Sequence, residues 1–559
     1  MVRKSRSGIT SLGLVNGGLN LRSGQLTLKL NQTRKAANCN LLLEGGLEGI
    51  PGFTAVCTLP TPIQGLMLYE KSGVSSSPKG QVSFEMLAYH YSSISKVDVK
   101  TGTFQTIKNN LHAEGRPQYA QDNAGNMHIV DGANPPMYYN GSTITAVSTW
   151  PPVYTATVAS QYSNSSLWVG SNPTTTSTPI DCTFYANRMW YITDNDIATV
   201  FFSKASGNTG TASTDFQTNN GSPVPIDIAG PAKLPAQTTF TGILGTPNGI
   251  LVYGQNSTGR ILGQNAPIGV GDEFRYETIN STIGCLSPHL VGELSDNQHM
   301  VVANNGVFLI TLSDNFQEVR PGQISYDIQP DLDSLGRYAL STGKLLIAPH
   351  TGIAILAVPR NITSLWRDRL WIYHYAVGQK AKPVTFPWMI SEEFGGTPTQ
   401  INDIVVDPTD NMIYFAIGDT VYKWEGLTFL NGKSRRREYQ FPPNNFDWEA
   451  VNKYAMAYNI SYKSSTGARA RLDHSWSNGD GGSTEIVFPA QDVTEVGTAV
   501  LGTDPVFFRS AFADNTIRVP IAGGQIGKDL IVTYIHDSDT EDLTIYDIQV
   551  EWEVMGVGA

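Results

Sequence analysis

Few residues in this 559-residue chain stand at spacings that do chemistry. The densest basic run is Lys433, Ser434, Arg435, Arg436 and Arg437. Guanidinium forks match carboxylate and phosphate alike. Lys433, Arg435, Arg436 and Arg437 are therefore candidates for protein docking or nucleic-acid phosphate contact, beside a third reading as a solvated linker face. No aromatic residues interleave with the run as they do on a single-strand platform. Gly426, Gly432, Lys433 and Ser434 have the outline of a phosphate loop, but five residues separate the glycines where four are required. An arginine run follows in place of a helix whose N-terminus could hold phosphate. Asp537, Asp539, Glu541 and Asp542 put carboxylates on a turn, without the central glycine or the bidentate Glu of a calcium loop. That segment reads as a solvated hairpin tip. Gly269 and Gly271 lack the third glycine of a dinucleotide loop, and neither H-E-x-x-H nor G-x-S-x-G occurs.

The nine histidines are dispersed, and His90, His128 and His374 fall in strand-like runs that suit packing better than catalysis. Cys39, Cys57, Cys182 and Cys285 form no C-x-x-C pair, so neither a zinc site nor a disulfide scaffold is expected. Reduced, buried thiols in a protein folded in cytoplasm are the expectation. No cofactor, metal or catalytic residue is assigned, and the chain reads as a non-enzyme.

The elements that must position these residues are strands. Charged residues make up 16% of the chain, against roughly 25% in an average soluble protein. With 54 Gly and 31 Pro, long helices are broken up, while 40% hydrophobic content with 55 aromatics excludes disorder. The apolar stretch from Leu345 to Val358 is interrupted by Pro349, His350 and Gly352, so it cannot span a bilayer as a helix. No apolar signal segment follows the basic start, and stable membrane insertion is not expected.

Hairpins recur along the chain. Leu87–Tyr91 is answered by Ile94–Val99, Met127–Val130 by Met137–Tyr139, and Met189–Ile192 by Thr199–Phe202. Ile250–Tyr253 precedes Arg260–Leu262, Met300–Val302 turns into Val307–Ile310, Lys344–Ile347 into Ile353–Val358, and Met412–Ile417 into Val421–Trp424. Gly, Asn or Asp stands at the turns between them. These units start 40 to 67 residues apart, the interval of four-stranded propeller blades with variable loops. Asp122-x-x-x-Asn126-Met127 and Asp407-x-x-x-Asn411-Met412 repeat one motif, each reaching a glycine, Gly141 or Gly426, at the same offset. The fold class is all-β, with a β-propeller of six or seven irregular blades. Two sandwiches in tandem are the alternative, but they do not account for the repeated motif.

Three segments follow: an N-terminal arm with platform strands over 1–60, the propeller over 61–430, and a C-terminal antiparallel, sandwich-like β-domain over 431–559. Strands of the last are expected at Tyr454–Tyr462, Glu485–Phe488, Val506–Phe508, Thr516–Val519, Leu530–Ile535 and Leu543–Val554. Net charge is −11, which argues against a surface that wraps nucleic acid. Its distribution is polar. Residues 1–35 carry seven bases and no acid, whereas residues 471–559 carry 15 acids and four bases. The two ends are expected to meet different partners, or each other in a neighbouring subunit, unless both are simply solvated.

Several segments together resemble a family. Gly17, Gly18, Leu19, Asn20 and Leu21, then Leu28, Ala36–Asn40 and Gly46 to Pro51, Gly52 and Phe53, are similar to the opening of tail nozzle (tail hub, head-to-tail stabilisation) proteins of short-tailed bacteriophages. Val130–Pro136 to Tyr139, Asn187–Trp190 with Phe201–Ser203, Ile283–Cys285 with Asn305–Val307, and Val550–Val554 are similar to later blades and the final strand. The resemblance implies a structural virion protein, folded in host cytoplasm, that forms a homohexameric ring below the portal and adaptor. It implies partners as well: the head-to-tail adaptor, tail fibres or tailspikes, and viral DNA passing through a channel without sequence-specific binding. Like charge on such a channel wall would repel DNA phosphates and keep the duplex sliding. The alternative is a glycan-binding or glycan-cleaving propeller of a receptor-binding protein, although the S-x-D-x-G-x-x-W box of sialidase-like propellers is absent.

Overall fold

The computed structural model describes residues 7–13, 16–24, 27–29, 31–43, 45–71, 83–152, 177–205, 214–216, 230–234, 239–264, 274–295, 298–311, 320–364, 367–381, 384–392, 394, 400–446, 451–464, 466–490, 515–521 and 526–555. Among them are seven four-stranded antiparallel sheets, six of them running inner to outer in chain order. Blade 1 holds Ile63–Lys71, Ser83–His90, Ser93–Asp98 and Thr103–Lys108. Blade 2 holds Gln118–Gln121, Met127–Val130, Met137–Tyr139 and Ile144–Ala146. The inner strands of blades 3, 4, 5 and 6 are Pro179–Tyr185, Phe240–Thr246, Val291–Ser295 and Lys344–Ala348. Blade 7 runs Ile401–Asp407, Met412–Ile417 and Thr420–Lys423. Each inner strand touches the next, and that of blade 7 touches that of blade 1, so the sheets close into a seven-bladed propeller. Every hairpin read from the sequence lies within one blade.

Burial explains why this ring forms. The second strands Met127–Val130, Arg188–Thr193, Gly249–Gly254 and Ile353–Pro359 are buried at every residue. A sheet apolar on both faces needs a neighbour on each side, and a closed ring supplies both. The repeated motif occupies one blade position, the turn from inner to second strand. Asp122 Oδ1 accepts from the Ala124 and Asn126 amides at 2.9 and 2.7 Å. Asp407 Oδ1 accepts from the Thr409 amide at 2.8 Å, while Asn411 takes a left-handed φ of 59°.

The fourth strand of blade 7 comes from the other end of the chain. Thr54–Thr58 pairs antiparallel with Thr420–Lys423, Thr58 opposite Thr420. The arm assigned to 1–60 therefore gives its last strand to the propeller. Phe53, just before it, meets Phe394, Phe415 and Phe429 at centroid distances of 5.4, 5.2 and 6.0 Å.

The rest of the arm enters the C-terminal domain. One sheet there is ordered Asn515–Pro520, Lys453–Lys463, Thr544–Val554, Leu47–Gly49 and Cys39–Leu41, with Ser7–Ser11 also on Thr544–Val554. The other is ordered Gly481–Phe488, Ala468–Trp476, Leu530–Ser538, Arg435–Gln440 and Ala36–Ala37. Here the strands alternate: in Ala468–Trp476 buried residues recur at every second position, so one face packs and the other is solvated. Tyr458, Leu472, Val532, Ile548 and Val550 belong to a core that continues through Leu19 and Leu41 to Trp371 and Trp388 of blade 6. Segments from the two chain ends meet within one chain: Ser7 lies opposite Glu553 in an antiparallel pair. Val506–Phe508 lies outside the described residues.

Asn38 joins the two domains. Its φ of 56° turns the chain so that its side chain reaches both. Its Nδ2 donates to the Arg436 carbonyl at 2.9 Å, and its Oδ1 accepts from Ser391 Oγ at 2.9 Å and the Glu392 amide at 3.1 Å.

Candidate functional site

The inner strands run in one direction, so their first residues share one mouth of the propeller axis. In blades 1, 3, 4 and 7 a β-bulge falls between the first and third residues of this strand, and the third, at its edge, is Gly65, Asp181, Gly242 or Asp403. In blades 3 and 7 the bulge residue is an aspartate whose carboxylate reaches the next blade. Asp181 Oδ2 accepts from the Ile243 amide at 2.8 Å, and Asp403 Oδ2 accepts from the Leu66 amide at 2.8 Å. The other oxygen accepts from the residue that follows, Cys182 or Ile404, at 2.9 Å in each case. The receiving blades carry glycine at the bulge. A Cβ on Gly65 would stand 2.3 Å from Pro117 Cγ and 3.3 Å from Asp403 Oδ2.

The two aspartates differ in charge environment. Asp403 Oδ1 also accepts from Lys344 Nζ at 2.7 Å. Asp181 feels Lys344 only at a distance, and burial pushes its carboxyl up to about 8. Asp403→Ala would leave the Lys344 ammonium and two amides without their acceptor at the ring closure. We expect a loss of about 3 kcal/mol in urea unfolding. A midpoint equal to that of the unaltered protein would show that this junction bears no load.

Further cations gather beside Lys344. Arg116, just before the inner strand of blade 2, donates from Nη2 to the Gly343 carbonyl at 2.9 Å. Blades 2 and 6 are not neighbours, so this side chain crosses the mouth. Arg367 donates from Nη1 to the Thr342 carbonyl at 3.0 Å and from Nε to the Ile401 carbonyl at 2.7 Å. Burial, followed by the charge of Arg367, pushes Arg116 well below the usual guanidinium range. Burial lowers Arg367 to about 10, with Asp403 opposing. Burial first, then the charges of Arg116, Lys344 and Arg367, hold His289 neutral, and its buried Nδ1 has no partner.

A second feature is a cavity of about 350 Å³ between the arm and blades 6 and 7. Leu41, Leu43 and Pro51 line one side, and His374, Met412 and Trp424 line the other. Buried polar atoms without partners stand in these lining residues: His374 Nε2, Asn411 Oδ1 and Trp424 Nε1. Burial pushes the His374 imidazole down to about 3, so the wall is uncharged there.

The basic run separates by strand alternation. Lys433 is exposed just outside the strand, and Arg436 within it keeps a side chain 55% exposed. Arg435 and Arg437 are 3% and 1% exposed and point inward. Arg435 Nη1 donates to the Ile50 carbonyl at 2.6 Å, and Arg437 Nη1 donates to the Leu543 carbonyl at 3.2 Å. Those two are covered by the arm and cannot reach a partner or a phosphate, which corrects half of the site. Arg437→Ala should cost about 2–3 kcal/mol by leaving buried carbonyls bare, while Arg436→Ala should stay within about 0.5 kcal/mol. Equal shifts in urea midpoint would contradict this division.

The acidic turn is held by the fold. Glu541 Oε2 lies 3.2 Å from His536 Nε2 and accepts from the Arg469 amide at 2.9 Å. Among the described residues no group of three His, Cys, Asp or Glu side chains is placed to hold a metal ion. His90 is satisfied by Thr61 and Ser95, each at 2.8 Å, and His128 Nδ1 by the Tyr191 hydroxyl at 2.6 Å, as packing residues should be. All four cysteines are free and buried. No helix among the described residues is long and apolar enough to cross a membrane.

The axial cluster escaped sequence reasoning. Arg116, His289, Lys344 and Arg367 lie far apart in the chain, and only closure of the ring brings them together. The available signal was the pairing of an aspartate with a glycine at the same position of the following blade.

The sequence matches no protein-family model and no curated protein. Among solved structures, the chain is similar to the C-terminal WD40 domain of Sif2, with 9% identity and a TM-score of 0.36 over 67% of this chain and 99% of that one. It is also similar to a protein from Lactobacillus plantarum, with 10% identity and a TM-score of 0.35 over 67% of this chain and 91% of that one.

Proposed function

We propose that this chain is a non-enzymatic structural protein of a short-tailed phage virion, a nozzle subunit that assembles as a homohexameric ring below the head-to-tail adaptor. In this reading the ring retains the genome, conducts DNA without sequence-specific contact and carries fibres or tailspikes. The observation that supports it most is where the family-like residues lie. Those of the opening segment sit mostly at the joint between propeller and platform, with Asn40 and Pro51 also lining the cavity beside blades 6 and 7. Gly18, with a φ of 70°, passes the Pro387 backbone of blade 6 so closely that a Cβ would lie 2.6 Å away. Asn38 clamps blade 6 to the C-terminal sheet, and Phe53 plugs blade 7. A stiff two-domain body suits a ring subunit that must bear the load of a packaged genome.

Native mass spectrometry and negative-stain microscopy of the full chain, alone and with the adaptor, test this. A sixfold ring in either sample is the expected result. A protein that remains monomeric in both, or that turns over a glycan, would overturn it.

A further inference from the structure

We propose that the mouth of the propeller axis binds a small oxyanion of the phosphate class, held by Arg116, Lys344 and Arg367. Two guanidinium groups reach the backbone just before a third cation, since Arg367 donates to the Thr342 carbonyl, Arg116 to the Gly343 carbonyl, and Lys344 comes next. Among the described residues Asp403 alone forms an ion pair with any of them. Asp181 is the other carboxylate nearby, and both of its oxygens are occupied by backbone amides. The cluster therefore carries an excess of positive charge in a setting where unbalanced charge is costly.

The donors are placed for a ligand. Arg116 uses one N–H and Arg367 two on backbone carbonyls, so most of the five that each guanidinium carries have no acceptor among the described residues. These bonds fix both planes before an anion arrives, which lowers the ordering cost of binding. His289 is 7% exposed with an unpartnered Nδ1, and supplies a further neutral hydrogen-bonding atom. A tetrahedral dianion matches several fixed donors and the net charge better than chloride. Because Arg116 crosses the mouth, the ligand is a free small ion and not a duplex threaded along the propeller axis. This site does not depend on the virion reading.

The test uses the full chain and inorganic phosphate, with sodium chloride at matched ionic strength as the reference. Phosphate should raise Tm saturably, by about 2 °C or more. Arg116→Gln should weaken the response about tenfold, the equivalent of losing one charge-assisted contact. A shift no larger than that of chloride, or one retained in full by Arg116→Gln, would overturn the site. Should that variant not fold, the ³¹P linewidth of phosphate with unaltered protein decides. Broadening reversed by sulfate supports the site, and an unbroadened line rejects it.

Discussion

Removal of residues 1–60 is expected to abolish the soluble fold, although most of the propeller and most of the C-terminal domain would remain in the chain. The segment contributes strands to three separate sheets. Without Thr54–Thr58, Thr420–Lys423 becomes a bare edge and blade 7 loses its outer strand. Without Cys39–Leu41 and Leu47–Gly49, Thr544–Val554 loses neighbours on one side, and Ala36–Ala37 no longer covers Arg435–Gln440. Exposed edges of this kind template aggregation. The buried side chains Leu19, Cys39, Leu41 and Phe53 would leave with it. Size-exclusion chromatography and circular dichroism of the truncated chain should show aggregate and no cooperative transition. A monodisperse, cooperatively unfolding product would mean that the arm is an accessory. The milder probe is Phe53→Ala, expected to cost about 3–5 kcal/mol through loss of its aromatic contacts.

Stability should peak near pH 6.5 and fall steeply on the acid side. Burial lowers His299 to about 4, His374 to about 3 and His536 to about 4. In the unfolded chain these imidazoles bind protons near pH 6.5. Below that pH these three sites hold protons in the unfolded state alone, so each subtracts about 1.4 kcal/mol per pH unit until its folded value is reached, and His90, His128 and His289, also lowered by burial, add to the loss. Asp181 acts in the opposite sense. Its carboxyl is raised to about 8, so the folded state keeps a proton that the unfolded state has released. The stability from that group is complete below pH 4 and is lost as pH rises towards 8. His299, His374, His536 and Asp181 alone predict a net loss of about 3 kcal/mol per pH unit from pH 6.5 down to about 4, and the other lowered histidines steepen it. Urea unfolding across this range measures it, and a flat profile between pH 7 and 4.5 would contradict the buried neutral histidines. Asp181→Asn should flatten the alkaline side and steepen the acid side by about 1.4 kcal/mol per pH unit.

The propeller was legible in the sequence because its physics is local. Turn residues, apolar strands and their spacing mark each hairpin, and doubly covered strands such as Ile353–Pro359 read as unbroken apolar runs. The count of seven was not legible. One blade borrows its last strand from Thr54–Thr58, more than 350 residues away from its partners in the chain. The fates of Arg435 and Arg437 were hidden for a related reason: a basic run has the same composition whether alternate members face water or a covering arm.

The amino-acid order by itself determined that the chain is a ring of antiparallel sheets followed by an alternating β-domain, since side-chain periodicity and turn chemistry act over a few residues. Only the tertiary structure decided that the two ends of the chain share a sheet, that Asn38 bolts the domains together, and that Arg116 and Arg367 reach the backbone just before Lys344. Those are contacts between residues distant in the chain. Their geometry is set by ring closure and burial, which no local pattern encodes.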